Sequence, residues 1–504
     1  MISELTLLWP GYRLFPYERR LALREAAALL TPREGPCESH RGVRVLTDHA
    51  RVPAAYFLTY FSQVHQNGNV VPTIQALIEK SGSNGNGIGK QITRYSVHGL
   101  HEYKGKFNPQ VAHAILNCFR LPANARVLDP FCGSGTTLVE SSQKNVRAVG
   151  FDLNPLAVYV AQTKLAALRT PADAVEKILG RVIASARKRR STTRSDGSTR
   201  ITYLKSWFDG AILSEIEGLR QAIDETDSPG AVARILKVII SDQLRDFSFQ
   251  DPMDLRIRRR TTPLPSTSFL EVFEGKARSF VSRLSGVQGI LGNVAVSKVL
   301  RLDSTAMSEG QFKRLGKFDA VISSPPYATA LPYIDTQRLS LVWLGLCEPS
   351  DIMRLQAGLT GSREFYKQQK TEWRARLLAN AGSLPKVSHA FCLSLQGALT
   401  AEDGFRRQAV PSLLYRYLVG MQQVLHALFR LTNARAQAAF IVGHNHTILG
   451  GHRFDIDTPS LIEGLMHGTG FRNVERLPLE TYQRYGIHYK NAVSKEELIL
   501  FQRR

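Results

Sequence analysis

A chain of 504 residues exceeds what one compact core usually holds, so several domains, or one core with large insertions, are expected. Its 43% hydrophobic and 21% charged residues exclude a disordered composition, and no apolar stretch approaches the ~18 residues that cross a bilayer. The 65 Lys and Arg against 43 Asp and Glu leave a charge of +22, which favours a polyanionic partner without choosing among DNA, RNA and an acidic surface.

Residues 1–90 are expected to form an N-terminal region of unassigned role. Met1–Tyr12 carries Glu4 and only a short apolar run, unlike a secretory leader. Cys37, Cys118, Cys132, Cys347 and Cys392 form no Cys-x-x-Cys pair, which suits a reduced, intracellular protein without a zinc site. Glu18–Leu30 has helical spacing and a mixed charged face, as a packed surface helix would. Ser81–Gly89 reads as a flexible loop. It imitates a phosphate loop but has Asn84 at the first glycine position and Gln91 in place of Ser or Thr. Asn108 then caps a helix that starts at Pro109 and buries Val111, Ile115 and Leu116.

From Val127 to Leu156 the pattern is strand, glycine turn, helix, strand, acid. Arg126–Asp129 is a buried-strand run, and Gly133-Ser134-Gly135 lets the backbone turn tightly against a ligand. Thr136 and Thr137 open a helix reaching Gln143. Ala148–Phe151 is a second apolar strand ending on Asp152, where a doubly wound fold holds a ribose by its hydroxyls. A βαβ unit without a ligand is the plainer alternative, and the full Asp129-Pro-Phe131-Cys132-Gly133-Ser-Gly135-Thr136-Thr137 run speaks against it.

Residues 91–165 thus begin an α/β domain, and 166–293 interrupt it with a largely helical insertion. That insertion holds two basic clusters, Arg187-Lys188-Arg189-Arg190 and Arg256-Ile257-Arg258-Arg259-Arg260. Each cluster could be a solvated face or a phosphate-binding surface; in so basic a chain the two readings stand about level. The domain resumes over 294–345, with Val294–Leu302 leading into Asp303 and Phe318–Ser323 delivering Ser324-Pro325-Pro326-Tyr327 at a strand's carboxyl end. A second polar, basic insertion covers 346–408. Residues 409–504 return to the domain with a helix over Ser412–Phe429 and strands at Ala438–Val442, Phe471–Leu477 and Glu497–Phe501. His444, His446 and His452 are read as exposed loop histidines, not metal ligands.

The glycine run and the Ser-Pro-Pro-Tyr tetrapeptide together resemble the motifs of amino-group DNA methyltransferases, the cytosine-N4 and adenine-N6 enzymes. The resemblance implies a Rossmann-like class I methyltransferase sheet, mostly parallel with an antiparallel last strand. It implies S-adenosylmethionine as cofactor and double-stranded DNA with a flipped base as substrate. It also admits a partner restriction or defence protein. By the same resemblance, Lys106, Phe107 and Pro109 border the methionine end of the cofactor. Asp129, Phe131, Cys132, Gly133, Gly135, Thr136, Thr137, Asp152 and Asn154 surround the rest, and Asp303 takes the adenine amino group.

A base's exocyclic amino group is a poor nucleophile, because its lone pair is delocalised into the ring. Ser324 Oγ and the carbonyl of Pro325 could accept its hydrogens. Pro325 and Pro326 fix φ and carry no amide hydrogen, and Tyr327 could stack on an extruded base. Serine at the first position leans towards cytosine N4 in the resembling family, where Asp or Asn leans towards adenine N6. Related enzymes that modify guanine in transfer RNA share the glycine run but usually show Asp-Pro-Pro-Tyr. A catalytically silent nucleic-acid-binding protein is the reading from another class.

Overall fold

The computed structural model describes residues 1–81, 89–188, 197–328, 334–480 and 495–504. Arg189, Arg190 and most of the Ser81–Gly89 stretch fall outside them.

Five short strands build an antiparallel sheet from the N-terminal region: β1 (Ile2–Leu8), β2 (Cys37–Glu38), β3 (Gly42–Asp48), β4 (Gln63–Gln66) and β5 (Asn69–Pro72), in the order β2-β3-β1-β4-β5. Along β1, Leu5 and Leu7 point inward at alternate positions and are fully buried. The helix Pro16–Leu30 is more deeply packed than its charged sequence suggests, since Glu18 and Glu25 lie on its buried side. Glu25 accepts hydrogen bonds from Thr59 N at 2.8 Å, Tyr60 N at 3.1 Å and Asn117 Nδ2 at 2.8 Å. A carboxylate so saturated can sit without water, and it ties the N-terminal region to the helix Pro109–Phe119.

The main sheet is formed by β6 (Arg126–Asp129), β7 (Arg147–Asp152), β8 (Lys298–Arg301), β9 (Phe318–Ser323) and β10 (Thr432–Gly443). A two-stranded hairpin follows, β11 (Asn445–Leu449) and β12 (His452–Ile456), and then β13 (Phe471–Glu480) and β14 (Lys495–Arg503) complete the sheet. The order is β13-β14-β10-β9-β6-β7-β8. Strands β6 to β10 run parallel to their neighbours, whereas β14 runs antiparallel between β10 and β13. This is the expected Rossmann-like sheet, mostly parallel with its last strand antiparallel. Its order reverses between β6 and β9, and ligands bind an open sheet at that switch. Alternate residues divide between two buried faces: Val127, Ala320 and Ile322 on one, Leu128, Val321 and Phe440 on the other.

The sequence between β7 and β8 is helical, including Ala172–Lys188, Gly210–Asp227, Ala231–Ser241 and Phe269–Ile290. Two details differ from the sequence reading. Strand β8 occupies only the end of Val294–Leu302, because Val294 to Ser297 lack a ladder partner. The histidines read as loop residues instead lie at or in the β11–β12 hairpin. There His444 Nε2 meets Glu497 Oε1 at 2.8 Å.

Candidate active site

Four strand ends converge at the carboxyl edge of the sheet. Asp129 ends β6, Asp152 ends β7, Asp303 follows β8, and Ser324 follows β9. Register aligns Asp129 with Gly150 and Asp152 with Arg301, so these ends lie side by side. Between them opens a cleft of about 790 Å³, open solvent at its mouth included. Phe131, Gly133, Asp152, Asn154 and Asp303 line it together with the whole Ser324–Tyr327 tetrapeptide.

The turn after β6 is built for close approach. Gly133 and Gly135 take φ of +49° and +85°, which side chains resist. A Cβ on Gly135 would stand 2.9 Å from that of Ala161, and one on Gly133 would stand 3.3 Å from the Tyr103 ring. Cys132 is buried against Gly150 rather than in the cleft, and burial lifts its thiol far above the ordinary range. Thr136 and Thr137 are likewise buried, with Thr137 Oγ1 donating to Ile322 O at 3.2 Å. Gly135, Thr136 and Thr137 therefore shape the turn from behind.

Asp152 receives Gly133 N at 2.9 Å on one oxygen and Asn154 N at 2.8 Å on the other. Each oxygen keeps further acceptor capacity. Burial pushes its pKa up to about 6 despite those bonds. Asp129 lies deeper and does not line the cleft. Its Oδ1 accepts from Ser323 Oγ at 2.6 Å and Phe131 N at 3.1 Å, and burial again lifts it to about 6. It joins β6 to β9 directly beneath the two motifs. Asp303 Oδ1 accepts from Thr305 N at 2.9 Å and Thr305 Oγ1 at 2.7 Å, a turn that holds its carboxylate at the cleft wall.

Ser324 Oγ donates to Ile441 O at 3.2 Å. That spends the hydroxyl's proton on the scaffold and leaves the oxygen as an acceptor. Tyr327 Oη donates to Glu496 Oε1 at 2.7 Å. Asn445 Nδ2 holds Ala328 O at 2.6 Å, so the hairpin braces the segment after the tetrapeptide.

Lys106, Phe107 and Pro109 do not line the cleft. Lys106 Nζ is buried without a hydrogen-bond partner, and burial lowers its pKa to about 8. Phe107 packs on the core, and Pro109 begins its helix after Asn108, whose side chain accepts from Gln110 N. The lining residues from that segment are Tyr103 and Gly105, which sequence reasoning missed although they immediately precede Lys106. Leu359 and Thr360, from the second insertion, were also missed; nothing in their sequence marks them.

The basic clusters divide. Arg187 pairs with Glu274 at 2.7 Å and stays largely exposed, as does Lys188 at the helix end. Arg256 and Arg258 each lie 3.5 Å from Asp254 with much of their side chains in solvent. Arg259 and Arg260 turn to the protein instead. Arg259 stacks over Trp207 and Phe249 and donates to Ser206 O, whereas Arg260 donates to Asp246 O and Ser248 O. These hydrogen bonds and ring contacts hold the two guanidinium groups against the protein surface.

Residues 64–163, which include the glycine run, match the family model described as DNA methylase. Type II methyltransferase M.MjaII of Methanocaldococcus jannaschii is 40% identical over 76 residues, 15% of this chain and 14% of that protein. Type II methyltransferase M.MvaI of Kocuria varians is 24% identical over 278 residues, 50% of this chain and 59% of its own length. Type II methyltransferase M.BsoBI of Geobacillus stearothermophilus is 21% identical over 389 residues, covering 69% and 74%. The chain thus spans under two thirds of the first two relatives.

Proposed function

From a chain related to the amino-group DNA methyltransferases, we propose an enzyme that methylates the exocyclic amino group of a base flipped out of double-stranded DNA, at cytosine N4. The observation that carries this reading is that the Ser324–Tyr327 tetrapeptide and the acids Asp152 and Asp303 line one cleft. The cofactor is S-adenosylmethionine, which supplies an electrophilic methyl group.

The residues present fit that group. Gly133 leaves room for close backbone approach, Asp152 offers acceptors for two ribose hydroxyls, and Asp303 lines the same cleft as an acceptor for an adenine amino group. Ser324 Oγ, its proton directed to Ile441 O, accepts one hydrogen of the target amino group, and the Pro325 carbonyl accepts the other. Two acceptors would hold the nitrogen pyramidal, with its lone pair free of the ring and available to the methyl group that the cofactor would supply. Tyr327 carries the base on its ring face. Rate enhancement then comes from alignment and hydrogen bonding, without a covalent intermediate.

Serine in place of a carboxylate or amide supports cytosine over adenine. Arg187, Lys188, Arg256 and Arg258 supply exposed charge for phosphates. Among the described residues no helix is long and apolar enough to cross a membrane. DNA treated with the protein and S-adenosylmethionine, digested to nucleosides and read by mass spectrometry, is expected to contain N4-methylcytosine. N6-methyladenine alone would overturn the base assignment. Unmodified DNA beside labelled transfer RNA would overturn the DNA assignment.

A further inference from the structure

The second insertion ends in a loop that holds an aromatic ring out in water. Phe405 is 74% exposed, and Gly404, Arg406 and Arg407 beside it are exposed too. Single exposed apolar side chains are common and need no explanation. This one is different because its loop is clamped. Asp403 Oδ2 accepts from Thr400 N at 3.0 Å and from Gly450 N at 2.9 Å. Gly450 sits so near the loop that a Cβ there would lie 2.6 Å from Ala398 O.

Gly450 is the turn of the β11–β12 hairpin, and the other end of that hairpin is at the catalytic motif. Asn445, the first residue of β11, holds Ala328 O next to Tyr327. Five strand residues at ~3.4 Å each make a hairpin arm about 17 Å long, which joins the Phe405 loop at one end to the tetrapeptide at the other.

A second apolar tip near arginines stands on the first insertion. Met253 is 71% exposed on the loop that leads to Arg256 and Arg258. That loop is fixed by Gln250 Nε2 donating to Asp335 O at 3.0 Å. Asp335 also feels the charges of Arg406 and Arg363 from the second insertion. Asp335, eight residues past Tyr327, is thus held by the first insertion and lies within electrostatic reach of the second.

We propose that Phe405 enters the DNA duplex beside the extruded base, with Arg406 and Arg407 on the flanking phosphates. Extrusion leaves a gap one base thick between stacked neighbours, and a flat apolar ring fills such a gap and keeps it open. Cations beside the ring suit a polyanion, and Lys370, with Nζ 4.6 Å from the ring centroid, adds a third charge. The assignment rests on the reading given under Proposed function.

The test uses the full-length protein and duplex oligonucleotides containing the methylated site, either fully paired or with the target base mispaired. Phe405→Ala is expected to lower affinity and turnover roughly tenfold on the paired duplex. It should stay within about threefold of wild type on the mispaired one, where opening is already easy. Arg406→Ala with Arg407→Ala should weaken both duplexes alike and flatten the dependence on salt. S-adenosylmethionine affinity, measured by calorimetry, should be unchanged in each variant. A wild type that methylates DNA, with Phe405→Ala indifferent or equally impaired on both duplexes, overturns the wedge alone. A wild type that labels RNA and no duplex overturns the enzymatic reading and the wedge with it.

Discussion

Tyr327 Oη donates to Glu496 Oε1 at 2.7 Å, so the ring that follows the two prolines is anchored to the start of β14 rather than free to swing. An aromatic platform is useful only if its plane is set before the base arrives. Glu496→Ala is expected to lower kcat about tenfold, with S-adenosylmethionine affinity unchanged, and Glu496→Gln to recover most of the loss. Single-turnover methylation beside a cofactor titration separates the two effects.

Asp152 gives a prediction in which binding and stability move oppositely. Its folded pKa of about 6 stands above the ordinary aspartate value because burial opposes the charge. Its contribution to stability is therefore fully present below the unfolded pKa and lost as pH rises from about 4 through about 6. Asp152→Asn should abolish that pH dependence, so that the stability of the cofactor-free variant relative to wild type rises by on the order of 2 kcal/mol between pH near 4 and neutral pH. The same variant should lose cofactor affinity, because an amide cannot accept from both ribose hydroxyls. Thermal melts at the two pH values and one calorimetric titration decide it.

Gly361 takes φ of +75° and packs under the tetrapeptide, where a Cβ would stand 2.8 Å from Tyr327 O and 3.0 Å from Pro326 Cβ. Gly361→Ala should cost about 1–3 kcal/mol in denaturant melts. It should also slow methyl transfer, because the collision displaces the carbonyl side of the catalytic segment.

A buried acid behind the glycine turn sets the acid limit of the fold. Glu140 is fully buried and takes His98 at 2.6 Å, His113 at 2.8 Å and Tyr95 Oη at 2.9 Å. Burial alone would raise its pKa, but the histidine hydrogen bonds outweigh it and hold the value near 2. The stabilisation is present above the ordinary glutamate pKa and fades as pH falls towards about 2. Glu140→Gln should cost about 1–3 kcal/mol at neutral pH, with the difference from wild type shrinking in acid.

Arg256 and Arg258 lie beside Asp254 with much of their side chains in solvent, whereas the guanidinium groups of Arg259 and Arg260 are tied to main-chain carbonyls. Arg256→Gln with Arg258→Gln should weaken DNA binding across all sequences and reduce the slope of log affinity against log salt by ~0.9 for each phosphate that is no longer neutralised. Arg259→Gln should instead lower the melting temperature and leave that slope in place.

The site was legible wherever its chemistry is a property of the backbone. A glycine turn after a strand, an acid at the next strand tip and two prolines after a third strand each restrict the chain locally, and all three arrive in one cleft. What stayed hidden depends on distant packing. Tyr103 and Gly105 line the cleft while the neighbouring Lys106 points into the protein, a choice made by how the segment crosses the sheet edge. The N-terminal sheet escaped notice because β2, β4 and β5 have only two to four residues each, too few for alternation to show. Glu18 and Glu25 looked like a solvated face, since burial of an acid follows from donors contributed elsewhere, Thr59, Tyr60 and Asn117 among them. In the second basic cluster, four arginines alike in sequence split two and two by partner: Arg256 and Arg258 lie at Asp254, and Arg259 and Arg260 bind main-chain carbonyls that only the fold brings within reach.

Strand β14, drawn from residues 495–503, lies between β10 and β13 rather than at an edge. During synthesis every other strand of the sheet leaves the ribosome before it. Until it arrives, β10 presents an open apolar margin, with Phe440 and Ile441 waiting for Ile499 and Leu498. Maturation of this sheet is therefore gated by its latest strand to be made. The nascent chain must carry the cofactor turn and the catalytic tetrapeptide as an unfinished assembly, exposed to chaperones and to mispairing, before it can take up a substrate.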